Sequence, residues 1–195
     1  PPPLFSSRRR HTRYQSLSRG LGDVYKRQGV DVAVRIGRLA DSTLIARRLF
    51  EARTVVCASP EYLERRGNPQ TPDELADHDC LLYSNLPDPT KWVCTDGEGG
   101  RHSIDVPSTM IASSGDFLCA AASEGLGIVM QPTFIAGEAI SRGELQPVLT
   151  DYQWPVTPAY AIYPPTRHLS YRVREFIDFL AERFAGVPYW DRDCC

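Results

Sequence analysis

The stretch with the clearest chemical potential is Ser-Ser-Gly-Asp at residues 113–116, which opens an apolar segment of helical character. Ser113 or Ser114 is suited to cap a helix, because a serine hydroxyl accepts hydrogen bonds from free N–H groups of the first turn. Those N–H groups, together with the positive end of the helix dipole, also form a modest anion site. Two interpretations of this turn therefore stay open: plain capping, or contact with a ligand.

Two glycines flank one leucine in the segment EGLGIVMQP at residues 124–132. A dinucleotide site requires a strand, then glycines, then a helix, whereas here a helix precedes the glycines and a short apolar strand follows. We therefore expect Gly125 to end the helix in the left-handed conformation. Gly127 is expected to let two backbones approach closely, and Pro132 to end the strand because it has no N–H.

Enzyme and metal signatures are absent from the sequence. It contains no G-x-S-x-G elbow, no H-E-x-x-H and no P-loop. His78 lies near Cys80, but no third group is placed to orient the pair for catalysis. The six cysteines include no C-x-x-C pair, and scattered single thiols are typical of a reducing compartment. We predict no catalysis, no cofactor, no metal and a cytoplasmic location, and no apolar run is long enough to cross a membrane.

The charge is unevenly distributed along the chain. Residues 1–28 contain seven Lys or Arg and one Asp, a formal charge of +6, whereas the remaining residues have a formal charge of −8. A basic segment can bind nucleic acid, but this one has no apolar period and changes character abruptly at Gly29. We interpret residues 1–28 as a basic arm that is foreign sequence; the alternatives are a natural disordered arm and, last, a DNA-binding element.

From Gly29 onward, strand signals alternate with capped helix starts. Helices are predicted to begin at SPEYL and TPDEL, where Ser59 and Thr71 are followed by proline and acidic residues. Another helix is predicted from the helical spacing of apolar residues over 170–184. Strands are predicted at residues 30–37, 53–59, 79–84, 127–132 and 158–165. This alternation predicts an α/β fold with a largely parallel sheet.

The motifs follow one another as DVAVRIG, VVCASPEYLERRGNPQTPDELADHDCLLY, AAASEGLGIVMQP and GELQPVL, then a strand and a final amphipathic helix. In this order they closely resemble the effector-binding domain of LysR-type transcriptional regulators, over about residues 29–186. The resemblance implies a two-lobed type II periplasmic-binding-protein-like fold, with mixed, mostly parallel sheets and helices on both faces. Its two crossing strands would be residues 53–59 and 158–164, with a small effector bound between the lobes.

The resemblance also implies a domain division. Residues 29–57 with 159–186 would form the first lobe, residues 58–158 the second, and residues 187–195 an unanchored tail. The first lobe would be incomplete, since the family's first strand and helix, its linker helix and its winged helix-turn-helix do not precede Gly29. Loss of that strand and helix is expected to expose apolar surface.

Candidate effector contacts follow from the cleft that the resemblance implies, because its walls are strand ends, helix starts and hinges. Arg38 is expected to pair with an anionic effector or to be a solvated charge. For Ile162 and Tyr163, on the second crossing strand, the alternative is a purely structural role in the hinge. The full set of candidate effector-binding residues is Ile36, Gly37, Arg38, Ser113, Ser114, Phe117, Pro132, Thr133, Phe134, Ile162 and Tyr163.

The function implied by the resemblance is that of a ligand-sensing domain of a DNA-binding transcription factor. A small anionic or aromatic effector would change the angle between lobes and so the geometry of a homodimer or homotetramer of the parent protein. DNA would be bound through a winged helix-turn-helix absent from this chain. The alternatives are a solute-binding protein of a transport system, which shares the fold, and an oligomerisation module without a ligand.

Overall fold

The computed structural model describes residues 31–37, 39, 43–165 and 170–191. Two short 3-10 helices span Pro72–Asp77 and Tyr189–Asp191. The α-helices are α1 (Pro60–Arg66), α2 (Gly115–Ser123), α3 (Thr133–Ser141) and α4 (Tyr171–Arg183). The strands are β1 (Ala33–Ile36), β2 (Ile45–Ala58), β3 (Cys80–Tyr83), β4 (Lys91–Thr95), β5 (Arg101–Asp105), β6 (Ser108–Ala112), β7 (Ile128–Pro132), β8 (Gln146–Val148) and β9 (Val156–Tyr163).

The strands form one large mixed sheet with the order β1-β9-β2-β7-β3-β6, and β8 pairs with β2 as well. Parallel pairing surrounds β3, which pairs with β6 and β7. The long strand β2 pairs antiparallel with β9 through its first part and with β7 and β8 through its last part. The predicted α/β class is therefore observed, and the sheet is mixed because β2, which runs through both of its parts, pairs antiparallel with β7, β8 and β9. Strands β4 and β5 form a separate hairpin, as the polar turn between them predicts.

Alternating side chains of the central strands build two apolar cores, one on each face of the sheet. Val55, Leu81 and Val129 point to α2 and α3, where Leu118 and Ala136 cover them. Their strand neighbours Val56, Leu82 and Ile128 point to the opposite face. Tyr62 of α1, Leu75, Trp92 and Trp154 pack against them there. This is the period of two that a buried strand imposes. We call these the α2–α3 face and the α1 face.

A third, smaller core lies where β2 and β9 meet α4. Leu49, Ala161 and Ile177 are buried there, and Arg47 forms an ion pair with Asp178 of α4. Val34 and Ile36 on the edge strand β1 remain 52% and 40% exposed, which shows that α4 does not cover this strand. These apolar side chains of β1 are thus open to solvent.

Both predicted helix starts are observed, one of them in a different form. Ser59 caps α1, its hydroxyl accepting a hydrogen bond from the N–H of Tyr62 at 3.2 Å. The TPDEL helix is a 3-10 helix, and Thr71 makes no side-chain cap. Instead, the hydroxyl of Thr71 donates to the carboxylate of Glu74 at 3.0 Å. A 3-10 turn serves here as a short connector, since β3 begins at Cys80.

The glycines flanking Leu126 have the two different roles that the sequence predicts. Gly125 has a φ of 74° and ends α2 in the left-handed region, donating to the carbonyl of Ala122 at 3.0 Å. At Gly127, an added Cβ would lie 2.4 Å from the carbonyl oxygen of Asp79. The same carbonyl accepts the N–H of Ile128 at 2.8 Å. The first glycine therefore ends the helix, and the second brings the start of β7 against the chain entering β3.

The first residues of the predicted tail pack against other elements of the fold. Trp190 packs against the rings of Phe50 and Phe184 at centroid distances of 5.3 and 5.5 Å. It also contacts Phe134 of α3 at 6.2 Å, and Asp191 is only 4% exposed. This segment therefore bridges α3 and the first part of β2. Residues 192–195 lie outside the described part of the chain.

Candidate functional site

The carboxyl ends of three strands meet at one edge of the large sheet. Because β3 runs parallel to both β6 and β7, these three strands end on the same side. Ser113 follows the last residue of β6, and Pro132 ends β7. The loops and helix starts after parallel strands are where ligands of open α/β sheets bind. The structure therefore brings Ser113, Ser114 and Pro132 to a common edge.

The register of β2 brings the end of β1 to the same place. Gly37 donates its N–H to the carbonyl of Pro158 at 3.0 Å, and Pro158 lies opposite Glu51 of β2. Pro132 lies opposite Thr54. Only two residues of β2, Ala52 and Arg53, thus separate the register positions at which β1 and β7 end. The two strands run toward each other, and we take the place where their ends meet as the candidate effector cleft.

The start of α2 forms one wall of this cleft. The hydroxyl of Ser114 accepts the N–H of Phe117 at 3.3 Å, which establishes the predicted cap. The carbonyl of Ser113 accepts a long 3.5 Å bond from the side chain of Asn85, and the ring of Phe117 is 53% exposed. The first N–H groups of the helix have no intrahelical acceptor, so an anion or carbonyl could accept from them.

The start of α3 supplies three further predicted residues, two of them already engaged. The hydroxyl of Thr133 donates to the backbone carbonyl of Arg53 at 3.3 Å, tying α3 to β2. Phe134 is 37% exposed, and its ring contacts Trp190. Pro132 is partly buried at the end of the β7 ladder. The contact between Phe134 and Trp190 was not predicted, because nothing in the sequence indicates that the chain returns to α3 after α4.

Among the predicted residues of the first lobe, Ile36 is 40% exposed at the end of β1. Gly37 has a φ of 137° and turns the chain away from β9. Arg38 lies outside the described residues, so its pairing with an anionic effector stays a prediction.

Ile162 and Tyr163 are not brought to the cleft. Ile162 lies opposite Ala33, at the start of β1 rather than its end. It is five residues from Thr157 along β9, a distance of about 17 Å in a strand. Ile162 is only 5% exposed, and Tyr163 packs against the core under α4. Both residues therefore lie at the far end of β9 from the candidate cleft, and their role as effector contacts stays a prediction.

Two residues that the sequence did not single out, Gln131 and Arg53, lie at the cleft on the α2–α3 face. Gln131 is 2% exposed, and its side-chain Nε2 has no hydrogen-bond partner among the residues that the structure describes. Arg53 is exposed and lies two residues before Val55, the β2 residue opposite Gln131. A glutamine next to a strand-ending proline carries no signal in sequence alone; only the register identifies its face.

A separate groove of about 660 Å³ lies between α2, α3 and the start of α1. None of the predicted effector residues lines it. Its walls include Asp116, Cys119, Ile135 and Arg142, and also the carboxylates of Glu61, Glu124, Glu138 and Glu144. Arg142 is already paired with Glu138 and Glu144. An anionic effector is therefore disfavoured in this groove.

The buried cysteines and histidine are structural in character. Desolvation raises the pKa of Cys80 and Cys119 to about 12 and that of Cys94 to about 11, so these thiols stay protonated at neutral pH. Burial, followed by the charge of Arg66, lowers the pKa of His78, whose Nδ1 lies 3.2 Å from the hydroxyl of Tyr62. Among the described residues, no three His, Cys, Asp or Glu side chains converge to hold a metal ion.

A family model described as the LysR substrate binding domain matches residues 5–185 of the chain. The chain belongs to this family. The match begins earlier than residue 29 and so includes most of the basic segment for which we predicted a foreign origin; the structure of that segment lies outside the described residues. No helix in the described part of this LysR domain has the length and apolar character needed to cross a membrane.

Known relatives agree with this assignment. The HTH-type transcriptional regulator CrgA of Neisseria meningitidis serogroup B is 38% identical over 184 residues, which is 93% of this chain and 60% of that protein. The structure of the CrgA regulatory domain matches with a TM-score of 0.71 at 36% identity, covering 82% of this chain and 78% of that one.

Full-length AphB, a virulence activator of Vibrio cholerae, matches with a TM-score of 0.70 at 32% identity, covering 79% of this chain and 52% of that one. The LysR domain spans 60% and 50% of the length of two curated relatives. Together the comparisons confirm the predicted family and fold class.

Proposed function

We propose that this LysR domain is the ligand-sensing part of a DNA-binding transcription factor, and that it binds a small effector in the cleft at residues 51–54 of β2. The observation that carries the proposal is the register: β1 and β7 end on either side of Ala52 and Arg53. The first lobe would be residues 29–57 with 159–186, and the second lobe residues 58–158. Both are joined by β2 and β9, so a ligand that touches both sides biases their relative angle.

The proposed role is non-catalytic, in the cytoplasm, and coupled to assembly and DNA binding of the parent protein. The relatives that support it are named transcriptional regulators. Effector and DNA affinities would then be linked thermodynamically, each changing the other by the same factor.

The test is a thermal-shift screen of the 195-residue chain against small carboxylic acids and neutral aromatics. Saturation at 100 times the dissociation constant adds about 2.7 kcal/mol of stability, which for a chain of this size is a shift of roughly 5–10 °C. Ser113→Ala with Ser114→Ala should remove the shift, because both residues border the cleft.

The comparison uses ligand-induced shifts, since loss of the Ser114 cap lowers stability by about 1 kcal/mol on its own. Ser103→Ala with Ser108→Ala, two exposed serines of β5 and β6, is the matched control and should retain the shift. A chain that melts cooperatively and shifts with no compound would contradict the proposal.

Assembly of the parent protein into a homodimer or homotetramer is also proposed, and exposed apolar side chains support it. Phe176 and Phe179 on α4 are 49% and 59% exposed, while Ile177 between them is buried. Replacing both residues, Phe176→Ser with Phe179→Ser, should shift the sedimentation coefficient of the assembly toward that of the monomer. An unchanged sedimentation coefficient would place the assembly surface elsewhere.

A further inference from the structure

Strand β1 lies at one end of the large sheet, and among the described residues its only partner strand is β9. Gly37, the residue after β1, donates its N–H to the carbonyl of Pro158, which lies opposite it. Backbone groups alternate in direction along an antiparallel strand, so those of Val34 and Ile36 point away from β9. A row of backbone groups that points away from the sheet is a template for a further strand.

One face of this edge strand is apolar. Val32, just before β1, packs against the core under α4, and Val34 and Ile36 share its face because side chains alternate along a strand. Both are open to solvent, at 52% and 40% exposure. Strand β1 has neither a proline nor a register shift, two devices that commonly protect an edge from pairing. The edge therefore fits an extended partner strand with apolar side chains on one face.

The sequence around β1 is complementary to itself in antiparallel order. A twofold axis between two copies of Ala33 places Asp31 opposite the partner's Arg35 and Val34 opposite the partner's Val32. Opposite charges directly across two strands stabilise their pairing, and neither charge takes part in an ion pair among the described residues. An axis moved to Val34 would place Arg35 opposite the partner's Ala33 and lose both charge pairs. Charge complementarity thus selects one register.

We propose that a second copy of this chain docks on β1, so that two β1 strands pair antiparallel about Ala33 and join two large sheets into one. Val34 exchanges backbone hydrogen bonds with the partner's Val32, since both residues direct these groups away from β9, and the axis repeats the exchange. Because the axis is perpendicular to the sheet, the apolar faces of both copies lie on the same side and pack across the junction. Such an interface uses the same patch of both copies. It goes beyond the proposed sensing role and is separate from the assembly surface on α4.

A cysteine on the axis tests the register. In the 195-residue chain with Cys194→Ser and Cys195→Ser, Ala33→Cys should give a disulfide-linked dimer on mild oxidation, read by non-reducing electrophoresis. The two Cα atoms would be about 4.5 Å apart in such a pair, within the range of roughly 4.4–6.8 Å that a disulfide requires. Arg35→Cys is the matched control and should not cross-link, because it faces the partner's Asp31. The four cysteines of the described residues are buried.

Charge reversal tests the contact without a cross-link, by sedimentation over a range of protein concentrations. Asp31→Arg and Arg35→Asp should each raise the dissociation constant of the dimer by at least about tenfold, since both attractive pairs become repulsive. An equimolar mixture of the two variants should form a heterodimer, because each then supplies the charges that the other lacks. The double variant, Asp31→Arg with Arg35→Asp, should pair with itself as the wild type does. Asp151→Arg, at an exposed turn, is the matched control and should leave the dissociation constant unchanged.

Three results would overturn the inference: the chain stays monomeric at every concentration, the cysteine at position 35 cross-links as readily as that at position 33, or the mixture is no more dimeric than each variant alone. If a single reversal does not melt cooperatively, the double variant decides, and a monomeric double variant refutes the contact. If residues 1–30 of the same chain occupy this edge instead, neither cysteine cross-links and no reversal changes the sedimentation. Each of these failures leaves the proposed sensing function standing, since that function depends on ligand-induced stability.

Discussion

The two glycines around Leu126 predict different responses to the same substitution. At Gly127 an added Cβ would be 2.4 Å from the Asp79 carbonyl oxygen and 3.2 Å from Leu81 Cδ2. The nearer contact is with backbone, so β7 and the chain entering β3 must separate by about 1 Å to reach ordinary contact. That separation also strains the 2.8 Å bond from Ile128 to Asp79. We expect Gly127→Ala to lower the free energy of unfolding by about 3 kcal/mol.

At Gly125 there is room for a Cβ, but the backbone conformation is unfavourable for residues other than glycine. The nearest atom to an added Cβ is the Ser59 hydroxyl at 3.5 Å, an ordinary contact, while its φ is 74°. The left-handed conformation costs an alanine about 1–2 kcal/mol, partly offset by the reduced freedom of the unfolded chain. We expect Gly125→Ala to lower the free energy of unfolding by about 1 kcal/mol, and Gly125→Asn by less, because asparagine tolerates this conformation.

Urea unfolding at one pH measures all three variants, with Leu126→Ala as the control in the same segment. Leu126 is 49% exposed, so that change should stay within about 0.5 kcal/mol. The reasoning is refuted if Gly127→Ala is no more destabilising than Gly125→Ala, since backbone contact would then not be the constraint. It is also refuted if asparagine at position 125 is as harmful as alanine.

Three further predictions concern buried groups. Because the pKa of His78 is lowered in the folded state, the unfolded chain binds more protons below about pH 6.5; the urea midpoint should fall from pH 7.5 to pH 5 more steeply in wild type than in His78→Asn. Iodoacetamide at pH 8 should label Cys80, Cys94 and Cys119 only in urea, since burial raises the pKa of each thiol; labelling of the native chain, read by peptide mass, would contradict their burial. Trp190→Ala should lower the free energy of unfolding by about 2 kcal/mol, whereas Tyr189→Ala, at a 55% exposed position, should change it little.

Local features of the fold could be predicted from the sequence because they depend on short-range chemistry. The Ser59 cap and the left-handed Gly125 each follow from one residue and its neighbours. The TPDEL segment was predicted as an ordinary capped helix, and its 3-10 form reflects how soon β3 must begin. That constraint comes from chain length between packed elements, which local signals do not contain.

The candidate site could be predicted only in part, because it depends on register. The helix start at Ser114 was predicted from its capping signal. Ile162 and Tyr163 were chosen because they lie on the second crossing strand, whereas the pairing of Pro158 with Glu51 brings the beginning of β9 next to the ends of β1 and β7. The face of Gln131 likewise follows from its partner Val55, and a one-residue slip in register would reverse it.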